Sequence, residues 1–264
     1  DPTKGKLVKT LNMTSNSLLS LAALLRNIPL FGDELEILRH KLKDFESTIM
    51  TLTGGVERGR LDKNARQRET PSWYNSFIVT GEAPCVTAQS GGGAINRIIN
   101  IEASSSLVPD GNEVANAIVQ NYGLAGEAFV KKLDVKAIKR QFRELQKELL
   151  KLDTTDKQAS SMALILAAGN SALSMFFPEL QPITVQDVAG FLSSAKEVDT
   201  ASRAYDSVCN LIAVNNEKFL SSAVGSSEHH FAIWGRMTPE EVDTGAAKHM
   251  ENVIYFNRLI LETE

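Results

Sequence analysis

A short apolar run, Ile28-Pro-Leu-Phe-Gly32, ends in two adjacent acids, Asp33 and Glu34. The run is too brief for a helix and reads as a buried strand, with Pro29 tolerated near its start. Helical patterns flank it. Upstream, Leu18, Leu21, Ala22 and Leu25 fall at i, i+3, i+4 and i+7, which predicts a helix over 16–26 capped by Thr14 or Ser15. Downstream, residues 35–52 read as one helix that Gly54-Gly55 ends. Helix, strand and helix in succession point to α/β architecture. Ser76-Phe-Ile-Val-Thr80, closed by Gly81, reads as a second buried strand. Behind the flexible loop Ser90-Gly-Gly-Gly93, residues 95–101 read as a third, with Ile95, Arg97, Ile99 and Ile101 on one face.

Residues 107–224 have another texture. Val135, Ile138, Phe142, Leu145, Leu149 and Leu152 recur at steps of 3 and 4, the pattern of an amphipathic helix with one narrow seam. Residues 160–177 are Ala-rich and apolar on most sides, so a central buried helix is expected there. Thr184-Val-Gln-Asp187 reads as a helix start running to about Leu192, and 201–219 as a further helix. In the tail, Thr238-Pro-Glu-Glu241 fits an N-cap, a proline at N1 and an acid at N3, and Val253–Phe256 is a short strand candidate. The expected organisation is therefore α/β over 1–106, all-α over 107–224, and the beginning of a C-terminal segment, in winged-helix style, over 225–264. A chain that opens on Asp1 and closes soon after a new apolar stretch reads as cut at both ends.

A net charge of −4 excludes a globally basic nucleic-acid binder, so any such surface must be a local patch. Two distant cysteines, Cys85 and Cys209, argue against a disulfide scaffold and fit a reducing, cytoplasmic setting. The sequence shows no secretion signal, and neither a membrane span nor a membrane partner is expected.

A buried strand that delivers Asp33 and Glu34 at its carboxyl end has the arrangement nucleotide hydrolysis needs. Asp33 would hold Mg²⁺, and Glu34 would orient and deprotonate water. The plainer reading is that both acids open the next helix, favoured by its dipole. Thr80, at the end of a neighbouring strand, is a candidate contact to phosphate or water, or an ordinary strand exit. Arg97 could reach a neighbour's nucleotide or form an internal ion pair. Arg58, Arg60, Arg66 and Arg68 form a cation cluster suited to phosphates, or a solvated loop. Lys139, Arg143 and Lys147, with Lys151, align at i, i+4 as a candidate DNA-facing stripe; Glu144 and Glu148 beside them fit a plain solvated face. His229-His230 reads as surface, and Trp73 and Trp234 as packing residues. No GxxxxGK[ST] occurs, and Lys4-Gly-Lys6 does not supply one.

The order of these motifs, from Thr14-Ser-Asn16 through Ile28–Glu34, Leu52-Thr-Gly-Gly55, Thr80-Gly-Glu-Ala-Pro84, Gly91-Gly-Gly93 and Asn96–Glu102 to Asn121–Val130, resembles the domain of unknown function 927 family. The family occurs in replication proteins of phages, plasmids and genomic islands. The resemblance covers residues 10–220. It implies a RecA/AAA+-type ATPase core, ATP and Mg²⁺ as cofactors, and DNA as partner, with a homo-oligomeric ring and other replication proteins possible partners. Asp33 and Glu34 match its Walker B acids, Thr80 its sensor residue and Arg97 the expected place of a finger arginine. The phosphate-binding loop is the departure: without its lysine, these residues alone should bind ATP poorly. Two other readings stay open, a degenerate ATPase core serving as an oligomerisation or binding module, and a regulatory or defence ATPase that is not a helicase.

Overall fold

A computed structural model describes residues 7–42, 44–87, 89–103, 105, 108–221, 233–243 and 248–258. The readings of Lys4-Gly-Lys6 and of His229-His230 lie outside them. The chain divides into two compact units, 1–200 and 201–264.

The first unit opens with a parallel three-stranded sheet in the order β1 (Val8–Thr10), β2 (Leu30–Asp33), β3 (Phe77–Val79). Helix α1 (Ser15–Leu25) joins β1 to β2, and the Thr14 side chain accepts the Ser17 amide at its N-cap. Of the positions foreseen in the sequence, Leu18 and Ala22 are buried and Leu21 and Leu25 partly buried; together with Leu19, which the spacing did not include, they pack against Leu11, Leu30, Leu35, Leu38, Leu52 and Trp73 in one core. Gly32 makes this possible: a Cβ there would lie 2.7 Å from a Leu11 methyl.

The single helix expected over 35–52 is two, α2 (Leu35–Lys41) and α3 (Phe45–Gly54). Asp44 restarts the helix, because its side chain accepts the Ser47 amide as an N-cap. Gly55 ends α3 at φ 75°, where a Cβ would also meet the Trp73 carbonyl oxygen at 2.8 Å.

Residues 95–101 are not a strand. Gly91 caps the short helix α4 (Gly92–Ile95), and the segment then turns and runs extended without pairing. Side chains take up backbone groups that a ladder would have used. Gln158 Nε2 donates to the carbonyls of Ile95 and Ile98, each at 2.9 Å. Asn100 accepts the Cys85 amide and donates to the Val86 carbonyl. The third strand of the sheet is instead β1, whose three residues are too few to carry an alternation.

Helices α5 (Gly111–Asn121) and α6 (Leu124–Lys132) bury no residue. Helix α7 (Val135–Leu149) and helix α8 (Asp156–Phe176) pack antiparallel: Gln146 donates to Ser160, and Gln141, earlier in α7, accepts from Ser171, later in α8. The seam predicted on α7 supplies Phe142, Leu145 and Leu149 to this core. Helix α8 is long and apolar enough to cross a membrane by length and composition only, a test that core helices also pass. It is not buried all round, as the sequence suggested. Ala159, Met162, Ala163, Leu166 and Ala167 are buried, whereas Leu164 and Ile165 are exposed. The helix start read at Thr184–Asp187 opens α9 (Val185–Val188) with a capping box between Thr184 and Asp187; the α-helix is shorter than the expected run to Leu192 and passes into a 3-10 turn over Ala189–Phe191. Helix α10 (Ala195–Val198) follows, with its own capping box from Ser194.

Helix α11 (Thr200–Val214) enters the second unit and stops five residues short of the expected 219, where strand β4 (Phe219–Ser221) begins. β4 pairs parallel with β5 (Gly235–Asp243), which forms an antiparallel hairpin with β6 (Lys248–Phe256). The helix start expected at Thr238 therefore lies inside a strand. Pro239 sits opposite Asn252, beyond the stretch of β5 that pairs with β4, so it lies on the edge of the sheet, where a strand tolerates proline. The Lys218 ammonium stands 3.9 Å over the Trp234 ring, and the Phe219 and Phe256 rings meet edge to face.

Candidate functional site

The carboxyl ends of β2 and β3 bring three of the candidate residues together. The register Gly32↔Val79 sets Asp33 beside Thr80, and Thr80 Oγ1 donates to Asp33 Oδ1 at 2.7 Å. The Thr80 amide donates to the Gly32 carbonyl and the Leu35 amide to the Thr80 carbonyl, so both ends of the contact are tied to backbone. Glu34 follows directly. It donates its amide to Asp33 Oδ1 at 3.1 Å and sits in the left-handed region, φ 65° and ψ 57°, as the N-cap residue of α2. A glutamate in that conformation is strained by roughly 1–3 kcal/mol, a state that persists only where surroundings impose it. The buried side chain of Leu35 and the bond from its amide do so here.

Two residues that the sequence did not single out hold this arrangement. From α2, the Glu36 carboxylate accepts the amides of Ala83, at 3.0 Å, and of Glu82. Its own backbone amide, with those of Ala83 and Glu82, keeps the carboxyl below the usual glutamate range, and Arg39 adds to this. Arg39 donates to the carbonyls of Pro84 and Cys85, and its guanidinium lies 5.3 Å from the Phe45 ring centre. The helix that follows the acids thus grips the loop that follows Thr80. The partners are backbone groups 45 or more residues away in sequence, which no local pattern could reveal.

Arg97 has a different setting. It lies on the turn after α4, not at the start of a strand, and donates through Nη1 to the Gly93 carbonyl at 2.6 Å. Desolvation and the nearby Arg97 charge push the Lys157 ammonium down. The structure therefore gathers Asp33, Glu34 and Thr80 and places Arg97 in a separate hydrogen-bonded cluster.

The arginine-rich segment is an irregular hairpin arm. Val56↔Ser72 and Leu61↔Gln67 are antiparallel bridges, supported by backbone bonds from Arg68 to Arg60 and from Asp62 to Arg66. Asp62 caps the tip by accepting the amides of Asn64 and Arg66. Trp73 anchors the base: it is buried, and its Nε1 donates to the Leu52 carbonyl at 2.7 Å. All four arginines are exposed; Arg58 donates to Ser47, and Arg60 donates to Asn16 and pairs with Glu57. A groove of about 730 Å³ lies where Asn16, Lys41, Ser47, Arg58 and Arg60 meet, and neither Asp33, Glu34 nor Thr80 lines it. Lys139, Arg143 and Lys147 all stand exposed on α7.

Among the described residues no group of three or more His, Cys, Asp or Glu side chains could hold a metal.

A solved structure described as "SCCmec type IV Cch - active helicase" is similar to this chain, with a TM-score of 0.68 at 18% sequence identity. The alignment covers 99% of this chain and 49% of that one, so the chain spans about half the length of the helicase it matches. Identity this low shows a shared fold. No protein-family model matches the chain, so the resemblance to the domain of unknown function 927 family gains no support, and no curated protein matches it.

Proposed function

We propose that the chain carries the acid and hydroxyl half of an ATP-hydrolysing site in a RecA/AAA+-type, helicase-like protein that acts on DNA. The observation that carries this reading is the 2.7 Å bond from Thr80 to Asp33 across adjacent parallel strands, with Glu34 next in line. Open parallel sheets bind ligands at this edge. Asp33 and Thr80 fit the place of a Mg²⁺ and γ-phosphate contact, and the exposed Glu34 carboxylate that of the group that orients the attacking water. Bound Mg²⁺ would neutralise charge developing on the phosphates. The lysine that cradles those phosphates comes from outside these residues, since no GxxxxGK[ST] is present.

The fold shared with a helicase supports the motor reading. So does the arm, which presents Arg66 and Arg68 to solvent and leads directly through Trp73 into β3 and Thr80. The short connection from the arm's base at Ser72 to β3 would let nucleotide state move a DNA-contacting element.

The test uses the protein that holds this segment together with a phosphate-binding loop. Glu34→Gln should lower Mg²⁺-dependent ATP turnover by about two to four orders of magnitude with ATP binding kept. Thr80→Val should lower it by about a hundredfold, and Thr80→Ser should restore it. Turnover unchanged in Glu34→Gln overturns the proposal, and turnover that DNA does not stimulate overturns the helicase part of it.

A further inference from the structure

We propose that the outer face of α7 is a track for the phosphodiester backbone of nucleic acid, read through charge alone. At 100° per residue, Lys136, Lys139, Arg140, Arg143 and Lys147 fall within an arc of about 100°. That arc lies opposite the seam formed by Phe142, Leu145 and Leu149, which packs on α8. From Lys136 to Lys147 the row is about 16 Å long, a length that spans two or three phosphates of an extended strand. The five cations line a shallow groove of about 550 Å³, shared with Glu144.

Two observations separate this face from an ordinary solvated one. Among the described residues none of the five cations forms an ion pair: Arg140 and Glu144 are four apart in the base-before-acid order, which pairs less well than the acid-before-base order of Glu127 and Lys131 on α6. Glu144 and Glu148 lie to one flank, at about 80° and 120° on the same wheel, and leave the row uninterrupted. The face is therefore a local excess of positive charge on a chain whose net charge is −4.

The chemistry of the face selects among polyanions. Its exposed positions between 136 and 148 are Lys, Arg, Gln and Glu, with no aromatic or aliphatic side chain. Protein interfaces centre on aromatic and aliphatic anchors and are depleted in lysine. Helices that lie on membranes insert an apolar face, and the apolar face of α7 is engaged with α8. A row of lysines and arginines without stacking platforms suits phosphates, with sequence-independent binding that salt weakens steeply. This surface extends the proposed function to a second site, and it stands apart from the ATP chemistry.

The test is fluorescence anisotropy of a labelled 30-nucleotide oligo-dT strand titrated with the full 264-residue chain, without nucleotide, between 50 and 200 mM KCl. The triple variant Lys139→Glu, Arg143→Glu, Lys147→Glu changes only exposed side chains, and an unchanged melting curve verifies its fold. It should weaken binding at 50 mM KCl at least tenfold and reduce the slope of log K against log salt by about 2, three contacts at about 0.7 each. Arg66→Ala with Arg68→Ala, on the arm, should leave that α7-dependent loss in place. Equal binding by the triple variant and the wild type overturns the proposal, as does no binding by the wild type. Preferential binding to phosphatidylserine vesicles over oligo-dT overturns the choice of partner. None of these outcomes bears on the Glu34→Gln test, so failure here is distinguishable from failure of the ATPase reading.

Discussion

The Glu36 carboxylate, on the helix that follows the two acids, accepts the amide of Ala83, on the loop that follows Thr80, at 3.0 Å. With Arg39 bonded to the carbonyls of Pro84 and Cys85, one turn of helix holds four backbone groups of that loop. Asp33 and Thr80 are thereby coupled twice, once through their own bond and once through this clamp.

The clamp is pH-dependent with a definite sign. The backbone amides of Glu36, Ala83 and Glu82 hold the Glu36 carboxyl below its ordinary value. A depressed carboxylate contributes stability that is complete above the unfolded-state value of about 4.3 and is lost as pH falls through the folded value. The difference in melting temperature between the wild type and Glu36→Gln should be constant near neutrality and close as pH drops below about 4. Hydrogen exchange at the Glu82 and Ala83 amides should quicken severalfold in Glu36→Ala at neutral pH. Unchanged exchange there would show that the clamp does not hold the loop.

Gly32 is a packing residue. A methyl group at this position would lie 2.7 Å from one Leu11 side-chain carbon and 2.9 Å from another, in a core with no slack. Gly32→Ala should cost about 1–3 kcal/mol by overpacking, read as a lowered denaturant midpoint with an unchanged m-value. Pairing it with Leu11→Ala should recover part of the loss, because the two changes share one space.

The two thiols should differ in reactivity. Burial pushes the Cys85 thiol up to about 11, against a smaller opposing pull from Arg39, while Cys209 is exposed on α11. Since the thiolate is the nucleophile, iodoacetamide at pH 8 should alkylate Cys209 first and Cys85 only after denaturation. Peptide mass mapping at partial modification measures the order, and early labelling of Cys85 would mean that its segment opens readily.

How much of this was legible depends on how local each signal is. β2 and β3 could be read because an apolar run ending in Asp33 or in Thr80 carries its own boundaries, but β3 is an edge strand that leaves Ile78 and Val79 exposed, not the buried strand its composition suggests. The α7 seam was readable from its spacing alone, and the helix start at Thr184 from the residue types of four consecutive positions. The failures share a physical cause. Ile95–Ile101 has strand composition, but the Gln158 side chain occupies the carbonyls of Ile95 and Ile98, and nothing near residue 95 announces it. Thr238-Pro-Glu-Glu241 has helix-start chemistry, but nine cross-strand pairs with β6 override it. Asp33, Glu34 and Thr80 could be nominated from sequence, whereas the Glu36 and Arg39 clamp required coordinates, because its partners are main-chain atoms with no side-chain signature.

The left-handed Glu34 offers the sharpest test of whether this site is built for chemistry. At φ 65° an L-residue is disfavoured by about 1–2 kcal/mol, and glycine is not. At an ordinary N-cap position glycine already exceeds alanine by up to about 1 kcal/mol. The left-handed backbone at position 34 should widen that margin: Glu34→Gly should melt higher than Glu34→Ala by the equivalent of about 2 kcal/mol, the cap preference and the backbone penalty together. Both should lack turnover in the ATP-binding form of the protein, since neither carries the carboxylate. Comparing two inactive variants removes the side chain's own contacts from the difference and leaves the cap preference and the backbone penalty. If glycine exceeds alanine by no more than the ordinary cap margin, the conformation at Glu34 is relaxed, and no strain is held at the candidate water-activating residue. If the margin is clearly larger, the chain retains an acid in a conformation that costs stability, which is expected where geometry at the site is favoured over stability.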